Sequence, residues 1–245
     1  MTIGTTVITI PWSYAVLGIV LFIAAAIIWS KAQVKRRGAR VSGIMESLGM
    51  KPIEDSDPEL QQHWNRLRIE TSRKPTIALA WKRDESFGQL YLLDLWMDDE
   101  QQERRIVSGY ALVVAKHLNM PRFSLFPKVQ STSIMGRVAK HLQSYVFNRL
   151  GQISFVHAPE FDQYYAVTGN NETAVRQFLT SACLRELTRL KSRCLETDGD
   201  MFIYSRSAPN KETSAQEETA IYELIEEVKT LYRVFAECPE RYKTT

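Results

Sequence analysis

The chain has 245 residues, 44% hydrophobic and 24% charged, the balance of a globular protein with a core. Its net charge of +3 is local. No Lys, Arg, Asp or Glu precedes Lys31, five basic residues then fall within ten positions, and the rest of the chain holds 26 basic against 28 acidic residues, a balance of −2 that makes nucleic acid an unexpected partner.

Residues 1–9 form a short stub, and residues 10–30 are predicted to cross a membrane. From Ile10 to Trp29 there are 20 residues without a charge. At about 1.5 Å per residue such a helix spans about 30 Å, the thickness of a bilayer core. Trp12 and Tyr14 near one end and Trp29 at the other match the aromatic belts of the two interfaces. The basic residues Lys31, Lys35, Arg36, Arg37 and Arg40 follow the C-terminal end only, in a juxtamembrane segment of residues 31–42. By the positive-inside rule the N-terminus faces out and the bulk of the chain faces the cytoplasm. A cleaved signal peptide is the rival, with Ala24–Ala26 as an A-x-A site, but its positive charge belongs before the apolar run. The five basic residues are also placed to touch anionic lipid headgroups, each contact being worth about 1 kcal/mol. Membrane lipid is thus the partner expected of residues 10–40.

Residues 43–205 read as one α+β domain. Val41, Ile44, Met45 and Leu48 keep helical spacing and Gly49 closes that helix. Lys51–Leu60, with two prolines, reads as a loop, and Leu60–Glu70 as a short helix with Trp64 and Leu67 inward. Thr76–Trp81 alternates as a strand, placing Ile77, Leu79 and Trp81 on one face. Gln89–Met97 and Arg105–Lys116 are apolar on both faces, as covered central strands are, with the acidic run Asp98–Glu103 as the hairpin loop between them. Asn119–Pro127 places Phe123, Leu125 and Pro127 on one face, and its prolines predict an edge strand, since proline cannot donate to a ladder. Ser133–Leu150 is predicted as a helix through Ile134, Val138, Leu142, Tyr145 and Val146.

Beyond it, Ile153–Val156 reads as a strand that Ala158-Pro159 breaks. Phe161–Val167 alternates again, with Phe161, Tyr165 and Val167 on one face. Gly169-Asn170-Asn171 predicts a turn and an N-cap, starting one helix that buries Val175, Phe178, Leu179, Ala182, Leu187 and Leu190. Asp198-Gly199-Asp200 is the turn of a hairpin joining Ser192–Glu196 to Met201–Tyr204. Residues 206–218 are polar and read as a linker, residues 219–236 as a C-terminal amphipathic helix, and residues 237–245 as a tail. Ser214 with Glu217 fits a capping box at the start of that helix. Its stripe, Ile221, Leu224, Ile225, Val228, Leu231, Tyr232 and Phe235, either docks on the body or supports self-association through Ile221, Leu224, Val228, Leu231 and Phe235. Two and a half heptads are short for a coiled coil, which favours docking.

No Walker loop, G-x-G-x-x-G, G-x-S-x-G or H-E-x-x-H is present, so no cofactor is implied. His63, His117, His141 and His157 lie far apart and read as surface or packing residues. Cys183, Cys194 and Cys238 are odd in number and lack a C-x-x-C, which gives no zinc signature and no disulfide framework. Reduced thiols in a cytosolic compartment and no metal are expected. The pocket candidates are Glu160, Asp162 and Tyr164, placed on one strand face, where two carboxylates in unequal environments can serve as acid and base.

Several stretches together carry a resemblance: "LYLLDLWM", "NMPRFSLFPK", "PEFDQYYAVTG" and "VRQFL" after a membrane span with a basic flank. The chain resembles a group of uncharacterised bacterial single-pass membrane proteins over most of Leu90–Tyr204. The resemblance implies a cytoplasmic α+β domain at the inner membrane and no assigned activity. The expected function is therefore a membrane-anchored interaction or scaffold protein with a protein partner, not an enzyme. The alternative is an enzyme or ligand-binding domain for a lipid or other membrane-proximal substrate.

Overall fold

The computed structural model describes residues 38–67, 75–98, 104–128, 151–190, 193–206 and 214–237. The chain divides into two compact units, 1–48 and 49–245. In the first, residues 38–47 form helix α1, with Val41 and Met45 buried and Ile44 half-buried, as the spacing predicts. The helix stops where Gly49 takes φ +70, a left-handed conformation that glycine adopts without a Cβ penalty. The predicted span of residues 10–30, with Lys31, Lys35, Arg36 and Arg37, lies outside the described residues. Among the described residues no helix is long and apolar enough to cross a membrane.

The second unit is built on a nine-stranded sheet in the order β1-β2-β3-β4-β9-β8-β5-β7-β6, with every described pairing antiparallel. The strands are β1 (Lys51–Ile53), β2 (Thr76–Glu85), β3 (Gly88–Asp98), β4 (Arg104–Val114), β5 (Met120–Pro127), β6 (Gln152–Ile153), β7 (Tyr165–Gly169), β8 (Arg193–Gly199) and β9 (Met201–Arg206). The helices are α2 (Pro58–Arg66), α3 (Pro159–Tyr164), α4 (Glu172–Phe178), α5 (Ser181–Arg189) and α6 (Ser214–Glu237). The architecture is α+β, as expected. The central β3–β4 pair and the β8–β9 hairpin, turning at Gly199, also match the sequence expectation.

Five expectations need correction, each for a physical reason. Lys51–Leu60 is not all loop: Lys51–Ile53 adds to the sheet edge, and α2 begins at Pro58, where proline suits the first helical turn and Asp57 caps it by accepting from Leu60 N at 2.9 Å. A register shift between Ile77 and Leu79 breaks the alternation of β2, so Ile77 faces one side of the sheet with Ala80 while Leu79 and Trp81 face the other.

Strand β5 is not an edge; it lies between β8 and β7. Its proline is accommodated by an irregularity between Met120 and Phe123. There the Thr197 hydroxyl donates to Pro121 O at 2.7 Å and accepts from Phe123 N at 3.2 Å, so a side chain serves the backbone on both sides of the irregularity. The predicted helix after Asn171 is two helices, because the Thr180 hydroxyl caps a new start at Cys183 N, leaving Ala182 exposed and Leu190 half-buried. Lastly, α6 starts at Ser214, inside the predicted linker, and belongs to the same compact unit as the sheet. Ser133–Leu150, the run 99–103 and the tail from residue 238 lie outside the described residues.

Consecutive residues of a strand face opposite sides, so β9 divides the core in two. Met201 and Ile203 join Leu60 and Leu67 of the α2 region, with Tyr91, Leu93 and Leu112, on one face. Phe202 meets Phe235 of α6 on the other, at 5.5 Å between ring centroids, and Phe178 bridges Phe235 and Phe123 at 5.5 and 6.0 Å. At the β2–β3 turn Gly88 has φ +141, and a Cβ there would stand 2.1 Å from Val114 O, so this turn can close on β4 only with glycine.

Candidate functional site

The predicted trio Glu160, Asp162 and Tyr164 does not share a strand face. Pro159–Tyr164 is helix α3, and only Tyr165 onward enters the sheet. Proline at the first helical position favours the helix. Phe161 and Tyr165 are four residues apart, a spacing that serves a helix face as well as one side of a strand, so periodicity alone misled here. The Asp162 carboxylate accepts from Ser154 Oγ and, at 2.8 Å, from Phe155 N, which ties the β6–α3 loop shut. Arg176 completes this knot: it donates to the Ser154 carbonyl, pairs with Glu172 at 2.7 Å and lies 5.5 Å over the Phe155 ring. Asp162 is thus a loop clasp, Glu160 is exposed with its acid on the surface, and Tyr164 is half-buried. The structure does not assemble these three into one acid–base site.

The remaining predicted site residues are quickly placed. Arg40 is exposed on α1, and the other four basic residues lie outside the described residues. Leu224, Val228, Leu231 and Phe235 are buried within the second unit and Ile221 is half-buried, so the stripe of α6 docks on the chain's own sheet. No group of His, Cys, Asp and Glu among the described residues has the arrangement of a metal site. Cys183 is disulfide-bonded, which departs from the expectation of three reduced thiols. Cys194 is a free thiol whose pKa burial pushes up to about 11, leaving little thiolate for nucleophilic work.

Two polar clusters that sequence reading did not find are assembled by the fold. The first fastens α6. The Arg193 guanidinium on β8 donates to both carboxylate oxygens of Glu227, from Nη2 at 2.9 Å and from Nε at 3.1 Å. The Tyr204 hydroxyl on β9 donates to the same carboxylate at 2.8 Å. The two charged side chains are only 20% and 18% exposed, so this pair is well shielded. Burial opposes the charge on Arg193, but the Glu227 carboxylate outweighs it and raises the pKa. Burial, then the adjacent Glu227 charge, raises Tyr204 far above the usual phenol range. Nearby, the Tyr165 hydroxyl donates to the Leu190 carbonyl, closing the end of α5, and burial pushes that phenol up to about 12.

The second cluster joins α2 to β2 and β3. Lys82 Nζ pairs with Glu59 at 2.7 Å and lies 5.4 Å over the Tyr91 ring. Gln89 donates to Glu59 at 3.1 Å and accepts from the Tyr91 hydroxyl at 3.0 Å. The bond from Lys82, then the one from Gln89, lowers the Glu59 pKa. Desolvation pushes Tyr91 up to about 12. His63 sits one helical turn from Glu59, its ring tilted against Tyr91 at 6.3 Å. Both of its nitrogens are shut off from solvent and without a hydrogen-bond partner. Burial is the main cause that lowers its pKa. A third fastening runs from Arg66 at the end of α2 to Asp200 at 3.1 Å in the β8–β9 turn. The helical step Glu59–His63 is visible in sequence; the strand partners are more than 18 residues away and carry no sequence signal.

No family model matches the chain, and no curated protein matches it in sequence. Among solved structures, it is similar to the crystal structure of the mycobacterial trehalose monomycolate transport factor A, TtfA. The identity is 11% and the TM-score 0.46, over 80% of this chain and 94% of that one. A likeness of that degree carries no inference about this chain.

Proposed function

We propose that the chain is a membrane-anchored interaction protein of the bacterial inner membrane, whose α+β body binds a protein partner close to the bilayer. The observation that carries this reading is the uncharged run Ile10–Trp29 followed at once by Lys31, Lys35, Arg36, Arg37 and Arg40. The described polar clusters support it: Arg66 with Asp200, Lys82 with Glu59 and Arg193 with Glu227 each fasten one element of the body to another. The orientation follows the positive-inside rule, with the N-terminus outside. The Cys183 disulfide is the observation that opposes this orientation, because disulfides persist mainly in oxidising compartments, so the orientation is tested first.

The test is made in cells on the full chain carrying Gln62→Cys, an exposed position on α2. The protein is expected in the membrane fraction after carbonate extraction. A membrane-impermeant maleimide is expected to label the introduced thiol only after lysis. Labelling of that thiol in intact cells refutes the cytoplasmic placement, and recovery in the carbonate supernatant refutes the anchor. Site-specific photocrosslinkers at Val156 and Tyr222, two exposed apolar side chains, then test for a partner. A discrete adduct of one mass is expected at one or both sites, and none at either site counts against an interaction role for those surfaces.

A further inference from the structure

Helix α2 covers one face of the sheet with few strong attachments. Leu60 is fully buried and Trp64 partly so, both against the row that includes Tyr91, Leu93 and Leu112. Its polar attachments lie near the surface: side-chain exposures are 48% for Glu59 and 42% for Arg66. Between them His63 turns a neutral ring inward with neither nitrogen hydrogen-bonded. A neutral imidazole tolerates that position, whereas an imidazolium needs two acceptors for its two N–H groups.

The charged and titratable groups around the ring come from every element packed against it. Glu59 and Arg66 lie on α2 itself, Lys82 on β2, Tyr91 on β3 and Asp200 in the β8–β9 turn. The two acids could welcome a proton on the ring, but each already holds a cation: Glu59 holds Lys82 at 2.7 Å, and Asp200 holds Arg66 at 3.1 Å. Lys82 and Arg66 both repel an imidazolium. No acceptor reaches either ring nitrogen as folded, so a protonated His63 gains one only by drawing a carboxylate away from its present pairing geometry or by turning out to water, and either movement loosens α2.

We propose that α2 is an acid-released cover: protonation of His63 lifts Pro58–Arg66 from the sheet and opens the apolar row at Tyr91 and Leu93. The sign follows from the direction of the shift. The folded pKa lies below the unfolded value of 6.5, so the attachment is at full strength above pH 6.5 and weakens as pH falls below it. The proposal is independent of the membrane anchor and of any partner.

Hydrogen exchange of the detergent-solubilised full chain, corrected for intrinsic rates, tests it between pH 8 and pH 5. Protection of α2 amides is expected to fall by roughly tenfold per unit below the unfolded pKa, down to the folded one, while the β3–β4 pair keeps its protection. His63→Phe is expected to remove the pH dependence of α2. Unchanged α2 protection across the range overturns the proposal, and so does a pH-dependent loss that persists in His63→Phe. If His63→Phe loses protection throughout at pH 8, NMR titration of the imidazole in the unaltered chain decides. A His63 pKa below 6.5, coincident with α2 opening, sustains the proposal, and a value at or above 6.5 overturns it.

Discussion

Helices α6 and α2 press on opposite faces of one sheet, Phe202 marking the side of α6 and Met201 and Ile203 that of α2. Helix α6 has 24 residues, buries Leu224, Ile225, Val228, Leu231 and Phe235, and anchors its carboxylate Glu227 to a shielded guanidinium and a phenol. Helix α2 has nine residues, buries Leu60 alone within its length and relies on ion pairs near solvent. Length and shielding set the difference. A long stripe removes much apolar surface from water, and a pair kept from solvent is screened little. One side of the sheet is therefore riveted and the other only covered, and opening is expected on the covered side first.

The largest effect on this contrast is expected from Phe235→Ala, which empties the junction of Phe178, Phe202 and α6. A loss of about 3–5 kcal/mol is expected in urea unfolding of the full chain. A loss below 1 kcal/mol would mean that α6 is not integral to the fold. Glu227→Gln keeps the shape but leaves the Arg193 charge without its counter-ion, with an expected cost of about 2–3 kcal/mol. If that cost falls to the level of a surface pair, the shielding of this rivet is wrong. The smallest effect is expected from Lys82→Met, which removes a pair in which Glu59 is half-exposed. About 0–1 kcal/mol is predicted, as for other surface ion pairs. A Lys82→Met loss larger than that of Glu227→Gln would reverse the comparison.

What could be read beforehand was whatever lies within a few neighbouring residues. The stop at Gly49, the turn at Gly199 and the stripe of α6 are local, since each depends on backbone freedom or on spacing along one element. Docking of α6 on its own chain follows from that stripe, whose apolar residues are covered by the sheet. The site was hardly legible. Asp162 stands out in sequence as an acid, yet its carboxylate closes a loop to Ser154 and Phe155, and the alternation that predicts a strand around it belongs to a helix.

The sequence by itself determined the uncharged run with its basic flank, the α+β class, the hairpins and the helical stripes, because these follow from composition and period. Only the tertiary structure decided that β5 lies inside the sheet, where a threonine 76 residues away serves Pro121. Only the tertiary structure turned Ile77 away from Trp81 through a one-residue register shift. It also brought Glu227 to Arg193, 34 residues apart, and left His63 facing inward among groups from four elements. The physical reason is common to all of these. Pairing register and charge proximity arise between segments distant along the chain, where neither propensity nor period carries information.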